Sequence, residues 1–215
     1  ICWSKETLQK LAAFAKQHNL IVISDEIHCD MAIFGHKHIP FASVSEEAQE
    51  VSITFSAPTK TFNMAGIVSS WCVVPNATMR EPLFRWLRAN ELNEPTMFAP
   101  VATIAAFKNG EPWRKAMLAH VEANINFIIE YCKDNIPQIH PVRPQASYLL
   151  WLDCRGLGLS HIELARLFEE KAGLALNHGD MFGKEGEGFM RMNVGCPIAI
   201  IEKAMNMLKK AVDEL

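Results

Sequence analysis

The sequence has no basic block, and its 21 lysines and arginines are set against 24 aspartates and glutamates. The formal net charge of −3 argues against nucleic acid or an anionic membrane surface as the main partner. No apolar run approaches the roughly 18 residues that a membrane-spanning helix needs. There is no CxxC pair: Cys2, Cys29, Cys72, Cys132, Cys154 and Cys196 are scattered, several of them inside apparent strands or helices. Reduced thiols in a core are distributed in this way, so the cytoplasm is the expected compartment. No signal peptide is expected, because ICWSKETL leads straight into an amphipathic helix. Internal repeats and low-complexity segments are absent too. What is present is the composition of a soluble globular protein, 49% hydrophobic and 21% charged over 215 residues. That length suffices for one large domain or two modest ones.

Ser4 is a good N-cap for a first helix with Leu8, Leu11, Ala12 and Ala15 on one face, and Asn19 suits its stop. LIVIS (20–24) is apolar without alternation, as strands covered on both faces are in parallel α/β sheets. A connecting segment (34–50) carries two histidines and Pro40. VSITFS (51–56) and IVSSWCVV (67–74) read as two further buried strands, and three such strands predict part of a doubly wound sheet. The texture then turns helical in MREPLFRWLRAN and VATIAAFKNG, and in a long amphipathic stretch (113–133) with Val121, Ile125 and Ile128 on one side. The remainder reads as a smaller α+β unit. It has a strand in SYLLWLD, and a helix opened by the Ser160–Glu163 capping box and closed by Gly173. A short strand near LALNH, a mobile loop with Gly183, Gly186 and Gly188, the strand FMRMNVG and a closing helix after Pro197 follow. The domain boundary is expected near the start of the long helix, giving units 1–118 and 119–215.

The stretch TFSAPTKTFNMAG (54–66) follows a buried strand, breaks at Pro58 and sets Lys60 between Thr59 and Thr61. A lysine held in a turn at a strand end suits a Schiff-base enzyme, and its hydroxyl flanks suit a phosphate; a solvated surface lysine is the plainer reading. Asp25 ends the strand of LIVISDEIHCD, where parallel sheets bind ligands. Such a carboxylate asks for a cation such as a protonated pyridine nitrogen, unless it caps a turn through its own backbone. His28, with Cys29, Asp30, His36 and His38 nearby, matches no zinc spacing, so no metal is expected; a hydrogen bond to a cofactor hydroxyl, or a surface position, fits His28 better. In FMRMNVG, alternation puts Phe189, Arg191 and Asn193 on one face, a pairing suited to capturing a carboxylate or to an edge strand facing solvent. GKEGEG does not follow a strand and open a helix, so a phosphate loop is not supported.

Taken together, SDEIH, APTKTFNMAG, SYLLWLDCRGLGLS and FMRMNVGCP resemble the class I/II aminotransferase family of fold-type I pyridoxal-phosphate enzymes, and within it the cystathionine β-lyase (C–S lyase) branch. The resemblance covers essentially the whole chain. It implies an α/β fold: the C-terminal half of a three-layer large domain with a mostly parallel sheet, then a small α+β domain. It implies pyridoxal 5'-phosphate as cofactor, with Lys60 bonding it covalently and moving the substrate α-proton. Asp25 resembles the acid paired with the pyridine nitrogen, Thr59 a phosphate ligand and Arg191 the holder of the substrate α-carboxylate. His28 stands where related aminotransferases place a tyrosine near the phenolic oxygen. Two positions depart from the family pattern: Val68 replaces a phosphate-binding arginine, and Ile198 a further arginine.

The implied reaction is α,β-elimination from a sulfur-containing amino acid, by a homodimer. Transamination is the alternative, and a non-catalytic regulatory module a second one. Family members run to nearly twice this length, with a glycine loop, a stacking aromatic and an asparagine turn ahead of the first helix. The chain is therefore expected to be a C-terminal part of such an enzyme, and by itself inactive.

Overall fold

The computed structural model describes residues 1–215, which form two compact units, Ile1–Ala116 and Met117–Leu215. In the first unit, α1 (Lys5–Gln17) starts where the Ser4 hydroxyl accepts the Thr7 N–H at 3.1 Å. Leu8, Ala12 and Ala15 are buried, whereas Leu11 is 45% exposed rather than part of the packed stripe. Asn19 takes a left-handed turn (φ 51°) and the chain leaves the helix into β1 (Val22–Asp25). β1 pairs in parallel with β2 (Ser52–Ser56), Val22 opposite Ser52 and Asp25 opposite Phe55.

The segment between them, read from sequence as a plain connection, contains a short helix, α2 (Glu46–Val51), capped by Ser45. Ala48 and Val51 of α2 join Leu8, Ala12, Ala15, Phe41 and Val44 in one cluster, and Val22 packs against it. This cluster covers one side of the sheet. The other side carries Ile23, 69% exposed, and the exposed Phe55. The expectation of strands covered on both faces is therefore not met within this unit, because α1 and α2 both pack on the Val22 side. β3 (Trp71–Val73) is antiparallel to β2 and shorter than the run IVSSWCVV. A 3₁₀ turn over Ala65–Ile67 and a left-handed Val68 (φ 53°) take up the run's beginning. Two helices follow: α3 (Ala77–Ala89), capped by Asn76, and α4 (Ala99–Asn109), with Pro100 in its first turn.

The division between units falls within α5 (Glu111–Asn135). In the second unit, β4 (His140–Val142), β5 (Leu149–Asp153), β6 (Asn177–His178) and β7 (Phe189–Asn193) form an antiparallel sheet in the order β4-β5-β7-β6. β4 is not legible in the sequence, since Pro141 reads as a breaker; a proline is tolerated there because β4 is an edge strand. The capping box of α6 (His161–Arg166) forms as expected, Ser160 and Glu163 each closing on the other's backbone. The helix then loosens into a π turn over Leu167–Lys171, where the Ala172 N–H reaches back to the Leu167 carbonyl. α7 (Ile198–Asp213) closes the chain with Ile201, Ala204, Met205 and Leu208 buried; Pro197 lies just outside it, one position earlier than the sequence suggests.

All six cysteines are free thiols. Burial pushes the Cys132 thiol up to about 12 and raises that of Cys154 further, so both are inert core residues. No helix is long and apolar enough to cross a membrane. Leu152 on β5 is fully buried. Its replacement by alanine should lower unfolding free energy by about 2–5 kcal/mol, read from the denaturant midpoint.

Candidate active site

Parallel strands deliver their carboxyl ends to the same edge of a sheet, where open α/β folds bind ligands. Asp25 and Ser56 are the last residues of β1 and β2 at that edge, and the Lys60 turn begins two residues beyond Ser56. Ala57 and Pro58 are buried, and one helical turn follows. The Phe62 N–H bonds the Pro58 carbonyl at 2.9 Å and the Met64 N–H bonds the Thr59 carbonyl at 3.0 Å. Phe62 anchors this turn, edge-on to Phe107 with centroids 5.3 Å apart and 6.3 Å from Trp113. Gly110 makes that anchoring possible: a Cβ there would lie 2.6 Å from the Phe62 ring and 2.4 Å from the Ala106 carbonyl.

Lys60 is exposed and Thr59 half-buried. Thr61 is 1% exposed, and its hydroxyl is buried without a hydrogen-bond partner. A buried orphan hydroxyl beside an exposed amine is a group awaiting an acceptor, since native buried polar groups are almost always paired. Val68, at the position where the family pattern has an arginine, is exposed and supplies no charge.

Asp25 is exposed, and one of its oxygens accepts the Ile27 N–H at 3.1 Å. The capping role therefore exists, but it engages one carboxylate oxygen only. Asp25 also lines a hollow of about 400 Å3 together with Trp3, Leu8, Leu11 and Ile23. His28 enters the 3₁₀ turn Cys29–Met31 and is half-buried. The nearby histidine His38 is committed elsewhere, to Glu26.

Glu26 is the residue that sequence reading passed over. It is 7% exposed, and its carboxylate accepts from His38 Nε2 at 2.8 Å, the Phe41 N–H at 2.9 Å and the Ser24 hydroxyl at 3.1 Å. Its own N–H bonds the Phe55 carbonyl at 2.8 Å, and its carbonyl accepts from the Ser56 hydroxyl at 3.2 Å. Glu26 thus ties β1, β2 and the 36–41 segment together directly behind Asp25. Burial works to raise its pKa, but the bonds from His38, Phe41 and Ser24 prevail and hold it below the ordinary 4.5. A carboxylate adjoining Asp25 at a strand end was the available signal; its partners, 12 and 15 residues away, were not legible.

In the second unit, Arg191 lies on β7 with Met190 and Met192 buried on the opposite face, as the alternation predicts. Its Nη2 donates to Asn177 Oδ1 at 2.9 Å, and the Phe182 ring lies 4.5 Å from its guanidinium carbon. The Nε is buried without a partner, a donor that an incoming carboxylate could satisfy. Asn193 shares that face, and its Oδ1 accepts the Gly195 N–H in a local turn. Asn177 and Phe182, from the segment before β7, contact the guanidinium. The GKEGEG loop is no phosphate cradle. Gly179 and Gly186 face each other so closely that a Cβ on either would fall within about 2 Å of the other's carbonyl oxygen.

The model of the aminotransferase class I and II family matches residues 1–208. The chain belongs to that family. Among its relatives is the cystathionine beta-lyase PatB of Bacillus subtilis, 38% identical over 210 residues, which are 98% of this chain and 54% of that one. The crystal structure of cystalysin from Treponema denticola, which contains pyridoxal 5'-phosphate, superposes with a TM-score of 0.93 at 29% identity, over 99% of this chain and 54% of that one. A pyridoxal-phosphate-bound C–S lyase from Staphylococcus hominis gives a TM-score of 0.87 at 30% identity, over 98% and 51% of the two chains. The chain spans about half the length of the curated relatives it matches. The fold is that of pyridoxal-phosphate-dependent family members, covered over about half their length.

Because the folded pKa of Glu26 is depressed, its stabilisation is present above the unfolded value near 4.5 and lost as pH falls through the folded value. Glu26→Gln should cost about 1–3 kcal/mol at neutral pH. The gap from wild type should close as pH drops below 4.5, measured by denaturant melts at several pH values.

Proposed function

We propose that this chain supplies the lysine, the acid and the carboxylate clamp of a pyridoxal-phosphate-dependent carbon–sulfur lyase. The observation that carries the reading is Asp25 and the Lys60 turn at the carboxyl edge of two adjacent parallel strands. The cystathionine beta-lyase and C–S lyase relatives support the same direction. Lys60 would hold the cofactor through its amine, Asp25 would pair with its ring nitrogen, and Thr59 and the orphan hydroxyl of Thr61 would serve its phosphate. His28 would hydrogen-bond its phenolic oxygen.

The bound cofactor supplies an electron sink for the pair left when the α-proton departs. Lys60, as a free amine, would take that proton as general base. Asp25, as a carboxylate, keeps positive charge favourable at the ring. Arg191 grips the α-carboxylate and so orients the Cα–H bond. Breaking the Cβ–S bond releases a thiol, and the remainder hydrolyses to pyruvate and ammonia. The whole protein acts as a homodimer in this reading.

The family's own name keeps transamination as the second reading, since it uses the same lysine, acid and arginine. The two part on one measurement. Full-length protein given cystathionine should release pyruvate and thiol with no added 2-oxo acid; turnover only when such an acid is supplied would replace lyase by aminotransferase.

Borohydride reduction of the holoenzyme should fix the cofactor on Lys60, located by peptide mapping, and Lys60→Ala should abolish the link. A pyridoxyl group found on another lysine would refute the assignment. Arg191→Ala should act mainly on substrate binding, weakening it by about 2–5 kcal/mol. The 215-residue chain alone is expected to bind cofactor weakly and turn over negligibly, because misplacement by about 1 Å costs about a hundredfold in rate. Cofactor titration beside the full-length enzyme checks this.

A further inference from the structure

His161 opens α6, directly after the Ser160 cap, and its imidazole is 14% exposed. Its Nδ1 accepts the Gly188 N–H at 3.2 Å. Its Nε2 lies 3.1 Å from Asp180 Oδ1, near but not in hydrogen-bond alignment. One side chain therefore meets both ends of the segment 180–188. Between those ends lies Phe182, whose ring rests on the Arg191 guanidinium. The segment is closed across its base by the Gly179–Gly186 backbone contact and consists of two 3₁₀ turns, Gly179–Phe182 and Lys184–Gly186. On its upstream side, β6 carries His178, edge-on to His161 at 5.7 Å, and Asn177, which holds Arg191 Nη2.

His161, His178 and Asp180 also have the makings of a metal site, their ligand atoms all within 4.8 Å of one another. The tautomer argues otherwise. A backbone N–H pointing at Nδ1 requires a lone pair there, which puts the proton of the neutral ring on Nε2. Nε2 then carries the ring proton near Asp180 and has no lone pair for a cation. His178 Nε2 is likewise engaged, donating to Glu169 Oε1 at 2.8 Å.

We infer that His161 is a positioning residue for substrate binding: by accepting the Gly188 N–H while packing beside Asp180 it fixes the Phe182 ring against Arg191, and so the plane in which that guanidinium meets a carboxylate. Bidentate pairing needs the guanidinium and carboxylate coplanar, so a ring packed on one face limits tilt without occupying the N–H edge. His161 itself touches neither substrate nor cofactor. The inference rests on the reading of Arg191 as the clamp for the substrate α-carboxylate.

The test uses full-length holoenzyme, wild type, His161→Phe and His161→Asn. Phenylalanine keeps the ring and removes both nitrogens; asparagine keeps an acceptor where Nδ1 stands. Nitrogen-15 NMR of wild type should show a neutral His161 protonated on Nε2, unchanged by excess Zn2+. In His161→Phe, KM for the amino acid should rise about tenfold with kcat within about twofold, and His161→Asn should recover most of the loss. Amide exchange over 179–188 should quicken in the phenylalanine variant, while cofactor affinity, followed by absorbance, stays unchanged. An Nδ1-protonated ring, a Zn2+-dependent shift, an unchanged KM, or a joint fall of kcat and cofactor affinity would each overturn the inference. The tautomer and zinc measurements need no variant, so they decide even if His161→Phe fails to fold. Wild-type protein that turns over no substrate would overturn the proposed reaction instead, leaving the spectroscopic and exchange measurements to judge His161.

Discussion

The parallel pairing of β1 with β2 is the constraint on which the arrangement of the proposed site in the first unit depends. Parallel strands finish side by side, so a carboxylate ending one and a lysine turn following the other share one edge of the sheet. An antiparallel pair would send them to opposite edges. The pairing is secured where it matters by Glu26, whose backbone bonds Phe55 and Ser56 and whose buried carboxylate gathers His38, Phe41 and Ser24. A buried charge is costly alone, and three donors make this one an asset that also fixes the strand end.

In the second unit one guanidinium is held between two neighbours. Arg191 sits on the half-buried face of β7, with β6 alongside providing Asn177. The aromatic on its face comes from outside the sheet, from a turn closed by two glycines in backbone contact. Neither glycine is there for flexibility. Each is there because its neighbour's carbonyl occupies the space that a methyl group would take.

Local signals were legible in the sequence, and contacts across sequence distance were not. Ser4, Ser160 and Glu163 form the caps their spacing announces, and the burial of Ile201, Ala204, Met205 and Leu208 follows helical period. Asp25 and Arg191 stood out because each ends or interrupts an apolar run with a charge, and Lys60 because it lies between two threonines in a turn after a buried strand. α2 went unseen because it is six residues of mostly polar sequence, and β4 because proline masks an edge strand. Glu26 with His38, and Arg191 with Asn177 and Phe182, join residues that no helical or strand period relates. The exposed Ile23 and Phe55 show the limit of reading burial from an apolar run: such a run says that a strand can be covered, not that this unit covers it.

The π turn at Leu167–Lys171 bears on how the chain tolerates changes of length. A single π turn fits one extra residue into a helix while keeping both flanks in phase. Here the flanks are the Ser160 capping box and the left-handed Gly173. The extra residue is absorbed between them, with Leu167 and Phe168 both directed into the core. The segment thus has room for one residue more than a plain α-helix would hold between the same two ends. Among homologous chains, a length difference of one in this stretch would leave the cap, the glycine and everything downstream in register.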